Sequence, residues 1–155
     1  MATGNAKAAL PPPRRVVTGI GPEGRSCVQI DGPAATVVWS AADLPADNGG
    51  SADQGGGRFR FPTRGADFVF SDFPPGGGSP MHATDTLDFL VVVSGQVTFI
   101  TETGEVLLKA GDVLVDRGAY HGWRNDGDQT CRIVNLLCPA RPVGRGATVS
   151  GELDL

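Results

Sequence analysis

Apolar and polar positions alternate in short runs along most of this chain, and no long window keeps a helical period. The segments 14–20 (RRVVTGI) and 25–31 (RSCVQID) read as two strands around the turn signal Gly21-Pro22-Glu23-Gly24, and 35–41 (ATVVWSA) as a third. Further on, 58–62 (RFRFP) and 66–73 (ADFVFSDF) place Phe59, Phe61, Phe68 and Phe70 at alternating positions. TLDFLVVV, QVTFITE, EVLLKAG, DVLVDR, YHGWRN and CRIVNLLC complete the series. They are broken by Ser94-Gly95, Thr103-Gly104, Ala110-Gly111 and Asp126-Gly127. About ten or eleven short strands at this spacing predict an all-β sandwich or barrel.

Three stretches fall outside that pattern. Residues 1–13 are small, polar and proline-rich, ending in Pro11-Pro12-Pro13, and are expected to form a flexible N-terminal arm. Asp43 to Gly57, rich in Gly, Asp and Ala, is the longest irregular piece; disorder is the expectation, with a lid as the alternative. The tail from Pro139 has few large apolar groups and is expected to pack on the outside. Residues 14–155 then make one domain.

Composition changes this picture little. A chain of 155 residues is long enough to bury roughly 70% of its unfolded surface. The 23 glycines and 12 prolines suit tight turns between strands. A net charge of -4 with scattered arginines argues against nucleic acid or an anionic membrane as the partner. No leader-like or membrane-spanning run is present, so the expected location is cytoplasmic. Cys27, Cys131 and Cys138 have no metal-type spacing and are expected to be reduced; Cys131 and Cys138 lie in an apolar run that suits small buried thiols.

The candidate chemistry lies between Gly76 and Asn125. The sequence holds two histidines, His82 and His121, and both are here. Asp88 runs directly into Phe89-Leu90-Val91-Val92-Val93, and a carboxylate at the mouth of an apolar strand needs a partner. Two imidazoles and one carboxylate around a divalent cation would satisfy all three groups. In an unbroken strand His82, Thr84, Thr86 and Asp88 share one face, and His121 shares a face with Trp123 on another strand. Asp85 and Tyr120 are near the proposed ligands as acid or base candidates, although alternation turns them the other way. Trp123 reads as core packing, Asn125 as a brace for the turn after His121. Arg58, Arg60 and Arg64 read as a solvated strand face, with pairing to a substrate carboxylate as the alternative. Phe68, Phe70, Leu90 and Val92 are candidates for an apolar wall.

These residues resemble the two motifs of the cupin superfamily, G-x5-H-x-H-x3-4-E-x6-G and G-x5-P-x-G-x2-H-x3-N. Gly76, His82, Thr84, Asp88 and Gly95 fit the first, with Thr84 in place of the second histidine and Asp88 in place of glutamate. Gly111, Gly118, His121 and Asn125 match the second, one residue short after Gly111 and without the proline. The pattern His82-Ala83-Thr84-Asp85-Thr86-Leu87-Asp88-Phe89 resembles a subgroup of small single-domain cupins, often described as oxidoreductases or decarboxylases of secondary metabolism. The resemblance implies a jelly-roll barrel pairing into a homodimer through its N-terminal strands. It also implies one divalent ion (Zn, Fe, Ni or Mn) on His82, Asp88 and His121, and a small-molecule substrate. Thr84, a poor ligand, leaves coordination positions open, as in catalytic sites. Three readings of the activity follow: lyase or isomerase chemistry on a small organic acid or carbonyl compound, an iron dioxygenase, and a non-catalytic ligand-binding barrel.

Overall fold

The computed structural model describes residues 9–152, and every element among them is a strand. We number these β1 (Arg14–Ile20), β2 (Ser26–Pro33), β3 (Val37–Ala41), β4 (Arg60–Phe61), β5 (Ala66–Phe73), β6 (Gly78–His82), β7 (Thr86–Ser94), β8 (Gln96–Thr101), β9 (Gly104–Lys109), β10 (Val113–Asp116), β11 (His121–Arg124), β12 (Cys131–Pro139) and β13 (Gly151–Glu152). Two antiparallel sheets face each other, one ordered β10-β7-β12-β5-β3 and the other β6-β11-β8-β9. The pairs β1-β2 and β13-β4 form separate ribbons. This is the expected all-β jelly roll.

The core lies between the inner faces. Leu90 and Val92 from β7 and Cys131 and Ile133 from β12 meet Val97, Phe99, Leu108 and Trp123 from the other sheet. A smaller cluster of Val37, Val69 and Leu137 is covered by Phe59 and Phe61. Glycine is required where β6 meets β11, since a Cβ at Gly78 would lie 2.0 Å from the Trp123 carbonyl oxygen. At the β7–β8 turn Gly95 has φ +72, and a Cβ there would also press on the Thr130 carbonyl at 2.7 Å.

Several expectations change. The 43–57 segment is irregular, but it is tied down rather than disordered. The Ser40 N–H donates to the Gln54 carbonyl and the Gly56 N–H to the Val37 carbonyl, so the segment runs along the edge of β3. Arg15 grips Asp53 through two hydrogen bonds of 2.8 and 2.6 Å. The Gly- and Pro-rich stretch before His82 contains β6, which alternation does not reveal. The His82–Asp88 strand is broken: residues 83–85 leave one sheet and enter the other, so β6 and β7 lie on opposite layers. Phe68 is 41% exposed on the outer face and does not serve as an inner wall. Cys27 is exposed, Cys131 is buried, and all three cysteines are free.

Of the expected N-terminal arm, residues 1–8 lie outside the described residues. The Pro11 carbonyl accepts from Arg132 and the Pro13 carbonyl from the Ala34 N–H. The tail folds back on the outside, where Thr148 exchanges hydrogen bonds with Ala83.

Candidate functional site

Strand pairing brings the two histidines together. His121 on β11 is the register partner of His82 on β6, and the rings lie 4.4 Å apart between centroids. Each Nδ1 faces a carbonyl two residues back, Pro80 for His82 at 2.8 Å and Ala119 for His121 at 2.9 Å. A carbonyl only accepts, so both Nδ1 atoms carry the proton and each neutral ring keeps its lone pair on Nε2. Phe99 stacks on His121 with centroids 4.9 Å apart, and Trp123 meets it edge-on at 5.9 Å.

Asp116 is the residue that the sequence reading missed. It ends β10, is 5% exposed, and its Oδ2 lies 3.0 Å from His121 Nδ1. Its Oδ1 accepts the Ala119 N–H at 2.9 Å, which fixes the turn that carries His121. Burial pulls the His121 pKa down, but the Asp116 hydrogen bond, the Ala119 carbonyl and the charges of Asp116 and Asp88 together outweigh it and leave that pKa above its ordinary value. His82 has no such carboxylate bonded to it, and burial lowers its pKa. Asp116 shares a face with the half-buried Leu114 in D-V-L-V-D-R, but its partner His121 comes from β11 in the other sheet, so the pair becomes visible only once the two sheets face each other.

Asp88 lies across the layer, paired in register with Asp116. Burial is the main cause that raises its pKa, opposed by hydrogen bonds from Thr86 and Asn135. Asn135 Nδ2 donates to Asp88 Oδ2 at 3.2 Å, whereas Asp88 Oδ1 is buried without a hydrogen-bond partner. Asn135, on β12, was not singled out from the sequence.

His82, His121, Asp88 and Asp116 line one cavity of about 510 Å³, together with Asn135, Trp123, Phe70, Phe73 and Leu90. Val92 packs in the core beneath. The other sequence candidates stand apart from this cavity. Thr84 is buried and its Oγ1 lies 2.8 Å from that of Thr86. Asp85 accepts the Ala147 N–H, and Tyr120 lies under the Arg145 guanidinium at 4.4 Å, both on the outside of the layer. Asn125 is wholly buried; its amide donates to the Phe73 and Gln129 carbonyls and accepts from Gly127, bracing the loops beneath Trp123. Arg60 pairs with Asp67 and Arg64 with Asp43.

The donors fit a divalent cation in kind: two imidazole lone pairs and an unpartnered, buried carboxylate oxygen in one cavity. As placed, no three His, Cys, Asp or Glu side chains among the described residues are drawn together closely enough to hold an ion. Two of the three expected ligands are adjacent, and the third faces them from the opposite sheet.

The Cupin domain family model matches residues 69–137. The cupin-domain-containing oxidoreductase srdB of Neurospora crassa is 30% identical over 149 residues, covering 84% of this chain and 76% of that protein. The chain belongs to the cupin superfamily. It is also similar to the phomopsin biosynthesis cluster protein C' of Diaporthe leptostromiformis, 40% identical over 74 residues; the match covers 46% of this chain but spans only 39% of that relative's length. A Cupin 2 conserved barrel protein from Salinispora arenicola aligns at 17% identity over 53% of this chain and 70% of its own, with a TM-score of 0.45. No helix among the described residues is long and apolar enough to cross a membrane.

Proposed function

We propose that this cupin is a metal-dependent enzyme that moves a proton on a small hydroxy-carbonyl compound or organic acid, with lyase or isomerase chemistry as the outcome. The observation that supports it most is the unpartnered Asp88 oxygen facing two imidazoles whose Nε2 lone pairs are free. His82, His121 and Asp88 would hold one divalent ion, Zn, Fe, Ni or Mn. When bound, the ion would polarise a substrate oxygen and offset the negative charge that develops as a proton or CO2 leaves.

The chain's own groups supply the rest. Asp116 fixes the His121 ring and keeps the proton on Nδ1. Asn135 donates to Asp88 Oδ2 and would hold that carboxylate in place for the ion. Phe70, Phe73, Leu90 and Trp123 exclude water and so strengthen electrostatic interactions in the cavity.

A second reading, an oxygen-dependent oxidoreductase, is favoured by the name that the Neurospora relative carries. Turnover of a panel of hydroxy-carbonyl compounds and keto acids with and without O2 separates the two. Activity retained anaerobically with zinc supports the proton-transfer reading; strict O2 consumption with iron alone replaces it. Ligand binding that is unchanged by EDTA, without turnover, would leave a binding barrel. Pairing into a homodimer belongs to the same proposal. The β1-β2 ribbon leaves Val16, Ile20 and Val28 at 49%, 62% and 58% exposure, an apolar edge suited to a second copy. Light scattering that gives a monomer at working concentration removes this part.

A further inference from the structure

Tyr120 lines a second cleft on the outside of the layer, and Asp85 holds the loop that forms its other side. The cleft lies between the turn 117–120 and the loop 140–147, encloses about 660 Å³ and shares no lining residue with the cavity of the histidines. Its loop is anchored at both ends by one residue. The Asp85 carbonyl accepts the Ala140 N–H at 2.8 Å, and the Asp85 carboxylate accepts the Ala147 N–H at 3.0 Å. Between these ties the Gly146 N–H donates to the Val143 carbonyl at 2.9 Å. Turn and loop meet closely, since a Cβ at Gly118 would lie 3.2 Å from Val143 Cγ1.

This frame carries three arginines. Arg145 lies over the Tyr120 ring and pairs with Glu102. Arg117 and Arg141 line the same cleft and have no hydrogen-bond or ion-pair partner among the described residues. Elsewhere in the chain Arg14, Arg15, Arg64, Arg124 and Arg132 each hold a carboxylate. The Asp85 carboxylate is turned to the Ala147 amide and does not line the cleft. Three guanidiniums against the single carboxylate of Glu102 leave two positive charges uncompensated there, in a protein whose net charge is -4.

A phosphate monoester carries about 1.5–2 negative charges near pH 7, and its oxygens suit the fork of a guanidinium. The cleft is far larger than a phosphate group. Leu87, Val143, Ala140 and Tyr120 give it an apolar wall for an organic body. We infer that this cleft is a second binding site that takes a small organic phosphate monoester. Arg117 and Arg141 receive the phosphate, and the wall beside Tyr120 receives the ring or chain attached to it. Binding there does not depend on an ion at His82, Asp88 and His121, because the two cavities have separate linings.

The test titrates phenyl phosphate into the full chain by isothermal titration calorimetry, zinc-loaded and after metal removal. Saturable binding is expected in both states with a Kd below about 1 mM, at least about tenfold tighter than for inorganic phosphate or benzoate. Arg117→Gln and Arg141→Gln are each expected to weaken it at least about tenfold. Both side chains are exposed, and circular dichroism checks that each variant is folded. In NMR spectra of the metal-free protein the amides of Gly118, Gly144 and Arg145 should shift on binding while the Trp123 indole stays in place. Absence of saturable binding, or equal affinity for inorganic phosphate or benzoate, would overturn the inference. So would binding that is lost on metal removal, a shift confined to Trp123, or an affinity unaltered in both folded glutamine variants.

Discussion

Asp116→Asn isolates the contribution of the group behind His121. The Asp116 Oδ2 to His121 Nδ1 contact is 3.0 Å long with both side chains 5% exposed, so solvent screens it little. A hydrogen bond to a charged partner contributes about 1.5–3 kcal/mol and a neutral one about 0.5–1.5. Replacing the carboxylate by its amide should therefore cost about 1–2 kcal/mol of support for the imidazole. That corresponds to roughly 5- to 30-fold in zinc affinity, which overlaps the 10- to 100-fold usual for such outer partners. Competition against a chromophoric chelator measures the loss. In the metal-free protein the same variant should lower the His121 pKa, followed by NMR. The wild-type value is raised, so this interaction stabilises the fold fully below the ordinary histidine pKa near 6.5, and that stability is lost as pH rises through the folded value. The variant should thus be more destabilised at pH 5 than at pH 9. Zinc affinity within twofold of wild type and an unmoved His121 titration would refute the reasoning.

Other outcomes follow from the same geometry. Leu137 is fully buried between Val37 and Val69, so Leu137→Ala should cost about 2–5 kcal/mol in urea denaturation while leaving zinc affinity within twofold. Thr84→Ala breaks the buried hydroxyl pair with Thr86 and should cost about 1 kcal/mol in the same assay. Its metal content should match wild type, because Thr84 does not line the cavity. NMR of the metal-free protein should show His82 titrating below His121, since burial lowers the first and Asp116 raises the second. The reverse order would mean that Asp116 does not hold His121 in solution.

The fold was legible because alternation reports burial directly. The runs that became β5, β7, β8 and β12 stand out, each with apolar residues facing a shared core. β6 was not legible, since glycine and proline carry no burial signal and Gly78 is dictated by the approach of Trp123 from a distant strand. The disorder expected for residues 43–57 failed for a similar reason: the Arg15–Asp53 grip links residues 38 positions apart. At the site, His82, His121 and Asp88 could be found from residue type and spacing. Their placement could not, because the expected single strand crosses between sheets at residues 83–85 and sets Asp88 opposite the histidines. Asn135 acquires meaning only through the pairing of β12 with β7, and Asp116 only once β10 and β11, from opposite sheets, bring it to His121.

The claim that His82, His121 and Asp88 hold one divalent ion is tested most directly by metal analysis of the purified protein and its variants. The account predicts close to one ion per chain in the wild type and in Thr84→Ala. Almost none should remain in His82→Ala or His121→Ala, and Asp88→Asn should retain a much reduced amount. Each folded variant can be checked by circular dichroism. A wild type that binds no divalent ion when zinc, iron, nickel or manganese is supplied would contradict the claim, as would full metal content in folded His82→Ala.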